Sequence, residues 1–138
     1  YPTWRPITAI NEGDFDGDPR TIGDANWQPL INTPNYPHHS SGANALVSGV
    51  MKMFALYFGT EEVTFTVTSA NPNANPNSRT YASFTDAALD GVEGRILQGI
   101  HTRSADLNGR HLGMTVARWV FKHALRPLKQ GCDDDDQD

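Results

Sequence analysis

Arg95 lies about one helical turn before Ile100 and His101, inside an otherwise apolar helix end. An unpaired guanidinium is costly in such a place. Either it meets a carboxylate or it meets an anionic ligand, which its planar fork is shaped to hold. Ser40-Ser41-Gly42 stands immediately ahead of the first strong helical pattern. Backbone N–H groups and a serine hydroxyl there project at the positive end of the helix dipole, a setting that binds oxyanions and that also serves as a plain cap. Arg5 and His101 complete the set of groups that could hold an oxyanion. His38 and His39 are adjacent in a Pro-rich loop and read as surface residues, the alternative being an imidazole available for acid/base work near Ser41. Asp14, Asp16 and Asp18 alternate as in a calcium loop, but the glycine at the sixth position and the glutamate at the twelfth are missing, so a solvated turn is expected. Cys132 is the sole cysteine, which excludes an internal disulfide and a cysteine-rich metal site; it reads as an idle thiol.

The elements that must position these residues can be read from composition and period. Residues 1–42 hold six of the nine prolines with a cluster of Gly, Asp and Asn, and are expected to form an extended wrapping loop. Such a long loop is unusual in a compact domain unless it is functional or lies on a scaffold supplied elsewhere. Residues 43–128 read as the helical core. Its first helix runs from Ala43 to Phe58, with Leu46, Val50, Phe54 and Tyr57 forming a stripe that predicts burial. Gly59 is placed to stop it, and Val63 to Thr68 alternates like a short strand before an asparagine-rich loop. Ser83 or Thr85 caps the next helix, which carries Ala88, Val92, Ile96 and Ile100 on one face and ends near His101. Ser104 offers a further cap, Asp106 falls in the first turn, and Leu112, Val116, Trp119 and Val120 form the apolar face of the last helix. Lys122 and His123 suit its C-terminal end, and Pro127 prevents continuation.

Charge narrows the function classes. The formal net charge is −5, but Asp133, Asp134, Asp135, Asp136 and Asp138 supply five negatives, leaving a neutral body. Residues 129–138 therefore read as an acidic disordered tail. Between Arg95 and Lys129 seven bases face the single acid Asp106; Arg110, Arg118 and Lys122 fit a solvated helix face. Neither body nor tail suggests nucleic-acid binding. No stretch approaches the ~18 apolar residues of a membrane span. The chain starts Tyr1-Pro2-Thr3-Trp4 with no initiator Met or signal-peptide pattern, and reads as a piece of something longer.

Trp4-Arg5-Pro6-Ile7-Thr8-Ala9-Ile10, Ser41-Gly42 and Arg95-Ile96-Leu97-Gln98-Gly99-Ile100-His101 follow one another in the order and approximate spacing of three family motifs. By these the chain resembles the vanadium-dependent haloperoxidases and their type 2 phosphatidate phosphatase relatives. Phe58-Gly59-Thr60, Arg79-Thr80-Tyr81 and Gly109-Arg110-His111-Leu112-Gly113 extend the likeness to the bacterial haloperoxidase branch. The resemblance implies an all-α helical bundle, of which this is the C-terminal part. It also implies a vanadate or phosphate pocket made by Arg5, Ser41, Gly42, Arg95 and His101. His101 would bind vanadium through a ring nitrogen, or attack phosphorus in a phosphatase. A secreted or extracytoplasmic setting follows from the same likeness.

The sequence departs from the family at three places. Ala43 stands where a histidine serves as acid/base, and a methyl group moves no proton. The expected lysine, seven residues before Arg5, would precede Tyr1. The phosphatase pattern asks for an acid where Ala105 stands, with Asp106 one step late. The expectation is a haloperoxidase-like piece with an impaired site. The alternatives are a non-catalytic structural or assembly subunit and a phosphomonoester hydrolase. Its expected partner is the N-terminal portion of the same precursor or a sister subunit.

Overall fold

The computed structural model describes residues 3–126, so the expectations for Pro127, Cys132 and the aspartate run lie outside the described residues. Among the described residues the fold has four α-helices, a 3-10 turn (Gly13–Phe15) and one hairpin: α1 (Pro6–Asn11), α2 (Gly42–Phe58), β1 (Phe65–Thr68), β2 (Ser78–Tyr81), α3 (Phe84–Leu97) and α4 (Arg103–His123). The segment expected to be extended up to residue 42 thus holds a short helix, which starts because Arg5 is extended and Pro6 sits in the first turn with its φ already set. The alternating aspartates are turn residues. Asp16 accepts from the Asp18 N–H at 2.7 Å, and Asp14 accepts from the Gly23 N–H at 3.0 Å.

Local chemistry sets the helix ends. Ser41 caps α2 by accepting the Asn44 N–H at 3.3 Å, and Gly59 ends it in the left-handed region. Ser83 caps α3 through the Asp86 N–H at 3.0 Å. α4 begins two residues earlier than expected, with Thr102 rather than Ser104 as the flanking residue. Strand β1 finds a partner that the alternation did not announce. Phe65 pairs with Tyr81 and Thr68 with Ser78 in an antiparallel ladder. Arg79 and Tyr81 then tie the hairpin to Asp90 on α3, at 2.5 and 2.7 Å.

Packing overturns the expected face of α2. Helices α2 and α4 meet through their small side chains: Asn44, Ser48 and Ala55 are buried on one, and Gly109, Gly113 and Ala117 on the other. A methyl group at Gly113 would fall on the Ala45 carbonyl oxygen, and one at Gly109 on that of Ser41, so only glycine permits this approach. The large side chains are consequently turned outward. Leu46 is 69% exposed, Tyr57 75% and Trp119 61%, and Val50, Phe54, Leu112 and Val116 are exposed as well. Of the eight buried hydrophobic residues among those described, five are alanines, the others being Phe84, Val92 and Ile100. A core so poor in large side chains contributes little, since burying a Leu or Phe is worth ~1.5–3 kcal/mol and an alanine methyl far less. No helix among the described residues is long and apolar enough to cross a membrane.

Candidate oxyanion site

The site lies where α3 ends, α4 begins and the loop before α2 crosses them. Gly99 makes the turn after α3. Its φ of +75° suits glycine, and a Cβ there would come within 2.8 Å of the Trp27 ring. Ile100 and His101 therefore leave the helix, contrary to the expected end near His101, and turn inward. The loop is strapped across this turn by the Leu30 N–H on the Gln98 carbonyl at 3.0 Å, and the Ser41 N–H reaches Ala105 O at 3.0 Å. These two bonds hold Tyr36, His38 and Ser41 against the His101 turn.

His101 is the centre of a hydrogen-bonded chain. Its Nδ1 lies 2.6 Å from Asp106 Oδ1, and its Nε2 lies 3.1 Å from Arg95 Nη2. A carboxylate only accepts and a guanidinium only donates, so Nδ1 carries the proton and Nε2 keeps its lone pair. The imidazole is neutral. Burial holds its pKa below the ordinary histidine value, helped by Arg95 and Arg5 and opposed by Asp106. Asp106 Oδ1 also accepts from Asn44 Nδ2 at 2.8 Å, and the same amide approaches Ser41 Oγ at 3.4 Å. Asp106, one position after the residue at which the phosphatase pattern asks for an acid, is the acid that contacts His101. The first turn of α4 brings it, and not residue 105, onto the histidine, while Ala105 is buried.

Arg5 and Arg95 converge on the other side. Arg5 donates to Ile100 O at 2.8 Å and to the Tyr36 carbonyl, and its guanidinium lies 5.2 Å from the Tyr36 ring centroid. Arg95 Nη2 donates to the Tyr36 hydroxyl at 3.3 Å, and its buried Nε has no partner. Burial lowers the Arg5 pKa, and the neighbouring Arg95 charge lowers it further. Neither arginine forms an ion pair among the described residues. Of the two partners open to Arg95, no carboxylate is found among the described residues. Gly42 is exposed at the start of α2, with open space above its Cα.

His38 corrects a second expectation. It is 1% exposed, its ring centroid is 5.7 Å from that of His101, and its Nε2 meets Thr102 Oγ1 at 3.2 Å. Its buried Nδ1 is without a partner. Burial lowers its pKa, with the Arg5 charge adding to the effect. His39 is exposed, as expected, and bonds Asn108 at 2.9 Å. The structure thus gathers Arg5, Ser41, Arg95 and His101, and adds Tyr36, His38, Asn44, Thr102 and Asp106. Asn44 could have been noticed as a polar residue three positions after Ser41 on one helical face, and Asp106 as the lone acid in a basic segment.

Oxyanion chemistry fits this donor set. Two guanidiniums without an ion-pair partner among the described residues, a serine hydroxyl and a helix N-terminus supply donors for oxygen atoms, and a neutral ring nitrogen, which here accepts from Arg95, carries one lone pair. Vanadate or phosphate matches these demands.

The family model for the VCPO second helical-bundle domain matches residues 1–130. A bacterial vanadium-dependent iodoperoxidase of known structure is similar over 86% of this chain and 26% of its own, with 26% identity and a TM-score of 0.68. Holo-type and apo-type structures of bacterial vanadium-dependent chloroperoxidase are 19% and 20% identical, with TM-scores of 0.67 and 0.66, and bear on the fold alone. They too are matched over 86% of this chain, which spans 29% and 30% of theirs. Among curated proteins none matches.

Proposed function

Since the chain belongs to the family of the VCPO second helical-bundle domain, we propose that it carries a vanadate pocket of the haloperoxidase type whose turnover is impaired. The observation that carries this reading is the convergence of Arg5 and Arg95, without ion-pair partners among the described residues, beside Nε2 of His101. Arg5, Arg95, Ser41 and the Gly42 amide would hold the oxygens, and His101 Nε2 would bind the metal. When bound, vanadate supplies the centre at which peroxide is activated for transfer of oxygen to halide. The protein's own part is to orient His101 through Asp106, as carboxylate partners orient ligating histidines generally. It also neutralises the anion's charge.

Proton transfer is the weak step, because Ala43 cannot perform it. General acid/base assistance is worth roughly 10²–10⁴-fold. His38 is the imidazole at hand to replace it. Peroxide-dependent bromination by the intact protein should be slow, and Ala43→His should raise it by about tenfold or more. Brisk bromination by the unaltered protein, abolished by His38→Ala, would overturn the impaired reading. The absence of vanadate binding would leave a scaffold that keeps only the fold. Phosphomonoester hydrolysis is a second reading, favoured by one contact: Asp106 on Nδ1 fixes the tautomer whose lone pair is on Nε2, the atom that would attack phosphorus. It lacks the same acid at Ala43.

A further inference from the structure

We infer that Asn44 is a positioning residue that commits the Ser41 hydroxyl to donating its proton to the bound oxyanion. The inference rests on the oxyanion reading above and deepens it by fixing the direction of one hydrogen bond. Asn44 is the third residue of α2, and both it and Ser41 are buried. A serine hydroxyl has two lone pairs and one proton. Ser41 Oγ accepts from the Asn44 backbone N–H at 3.3 Å and from Asn44 Nδ2 at 3.4 Å. Both lone pairs are thereby taken. Only the O–H remains, and no acceptor for it is found among the described residues. An oxyanion supplies that acceptor.

The amide of Asn44 is held in this orientation by its neighbours. A carboxylate only accepts, so Nδ2 must face Asp106 Oδ1, 2.8 Å away; turned over, the amide would set two acceptors against each other. Its oxygen faces α3 instead, where a Cβ on Gly91 would lie 3.1 Å from it. The two hydrogens of Nδ2 are thus divided between Asp106 and Ser41. One buried side chain thereby sets the polarity of the serine at the start of α2 and shares the carboxylate that fixes the His101 tautomer. Without the amide, the hydroxyl is free to turn its proton inward.

The test measures what the Ser41 hydroxyl contributes to vanadate affinity in different backgrounds of the intact protein, with urea melts to show that each is folded. In the parent, Ser41→Ala should weaken binding by about tenfold or more, the worth of a hydrogen bond to a charged group. Asp106→Asn leaves Asn44 in place, and Ser41→Ala should cost the same there. The exchanged pair, Asn44→Asp with Asp106→Asn, keeps the bond between the two positions but reverses it. The carboxylate placed at position 44 can only accept, so the serine must donate to it. In that background Ser41→Ala should change affinity by less than about twofold, because the hydroxyl is already spent. Asn44→Ala carries the test if the exchanged pair does not fold, with the cost of Ser41→Ala reduced by about threefold or more from its value in the parent. An equal cost of Ser41→Ala with and without Asn44 would overturn the inference while leaving the pocket in place. A parent that binds neither vanadate nor phosphate would sink the oxyanion reading itself, and this inference with it.

Discussion

Replacing Asp106 with Asn changes the charge behind His101 while keeping its shape. Asp106 Oδ1 accepts from His101 Nδ1 at 2.6 Å and from Asn44 Nδ2 at 2.8 Å, and both side chains of the His101–Asp106 pair are fully buried. An amide oxygen in the same place still accepts both bonds, so the fold should survive. What is lost is charge assistance: a hydrogen bond to a charged group contributes about 1.5–3 kcal/mol against about 0.5–1.5 kcal/mol for a neutral one. The difference of roughly 1.5 kcal/mol corresponds to about tenfold in affinity. Vanadate titration by calorimetry should show that loss for Asp106→Asn. Asp106→Ala should go further and lower stability in a urea melt, because two buried donors lose their acceptor at about 1–3 kcal/mol each. Unchanged vanadate affinity in the Asn variant, with an Ala variant as stable as the parent, would refute the assigned role.

Two further outcomes follow from the packing and the protonation states. His38 and His101 are both held below the ordinary histidine value, chiefly by burial. Their contribution to stability is therefore full above about pH 6.5, where the unfolded imidazoles are neutral, and is lost as pH falls through the lowered folded values. Urea midpoints measured from pH 8 to pH 5 should decline on the acid side, and His38→Gln should flatten part of that decline. Gly113→Ala should destabilise by about 1–3 kcal/mol or more, since the added methyl meets the Ala45 carbonyl oxygen. A melting temperature equal to the parent's would mean that α2 and α4 do not cross as described.

Much of this arrangement was legible in the residues, and the failures share a cause. Helix positions and the Ser41 and Ser83 caps follow from local signals, which depend only on neighbours in sequence. The burial of α2 did not follow. A stripe at Leu46, Val50, Phe54 and Tyr57 signals an apolar contact without saying with what, and inside this chain the contact is made by the opposite, small-residue face. Strand β2 was hidden because Ser78, Arg79 and Thr80 are exposed and have no alternation to display. At the site, Arg5, Ser41, Arg95 and His101 were found through ordered motifs. His38 was misjudged because a Pro-rich loop normally runs over the surface, whereas here bonds to Gln98 and Ala105 draw it over the His101 turn. Asp106 stands one residue late for the motif, yet the first turn of α4 brings it onto His101, a contact that spacing alone does not display.

The central claim is that two arginines without ion-pair partners among the described residues and one neutral histidine form an oxyanion pocket. Vanadate titration of the intact protein tests it most directly, run beside Arg95→Ala and with phosphate as competitor. Saturable binding of one vanadate, displaced by phosphate and weakened at least tenfold by Arg95→Ala, is the predicted result, because each charge-assisted contact is worth roughly 1.5–3 kcal/mol. No saturable binding, or binding that Arg95→Ala leaves unchanged, would contradict the account.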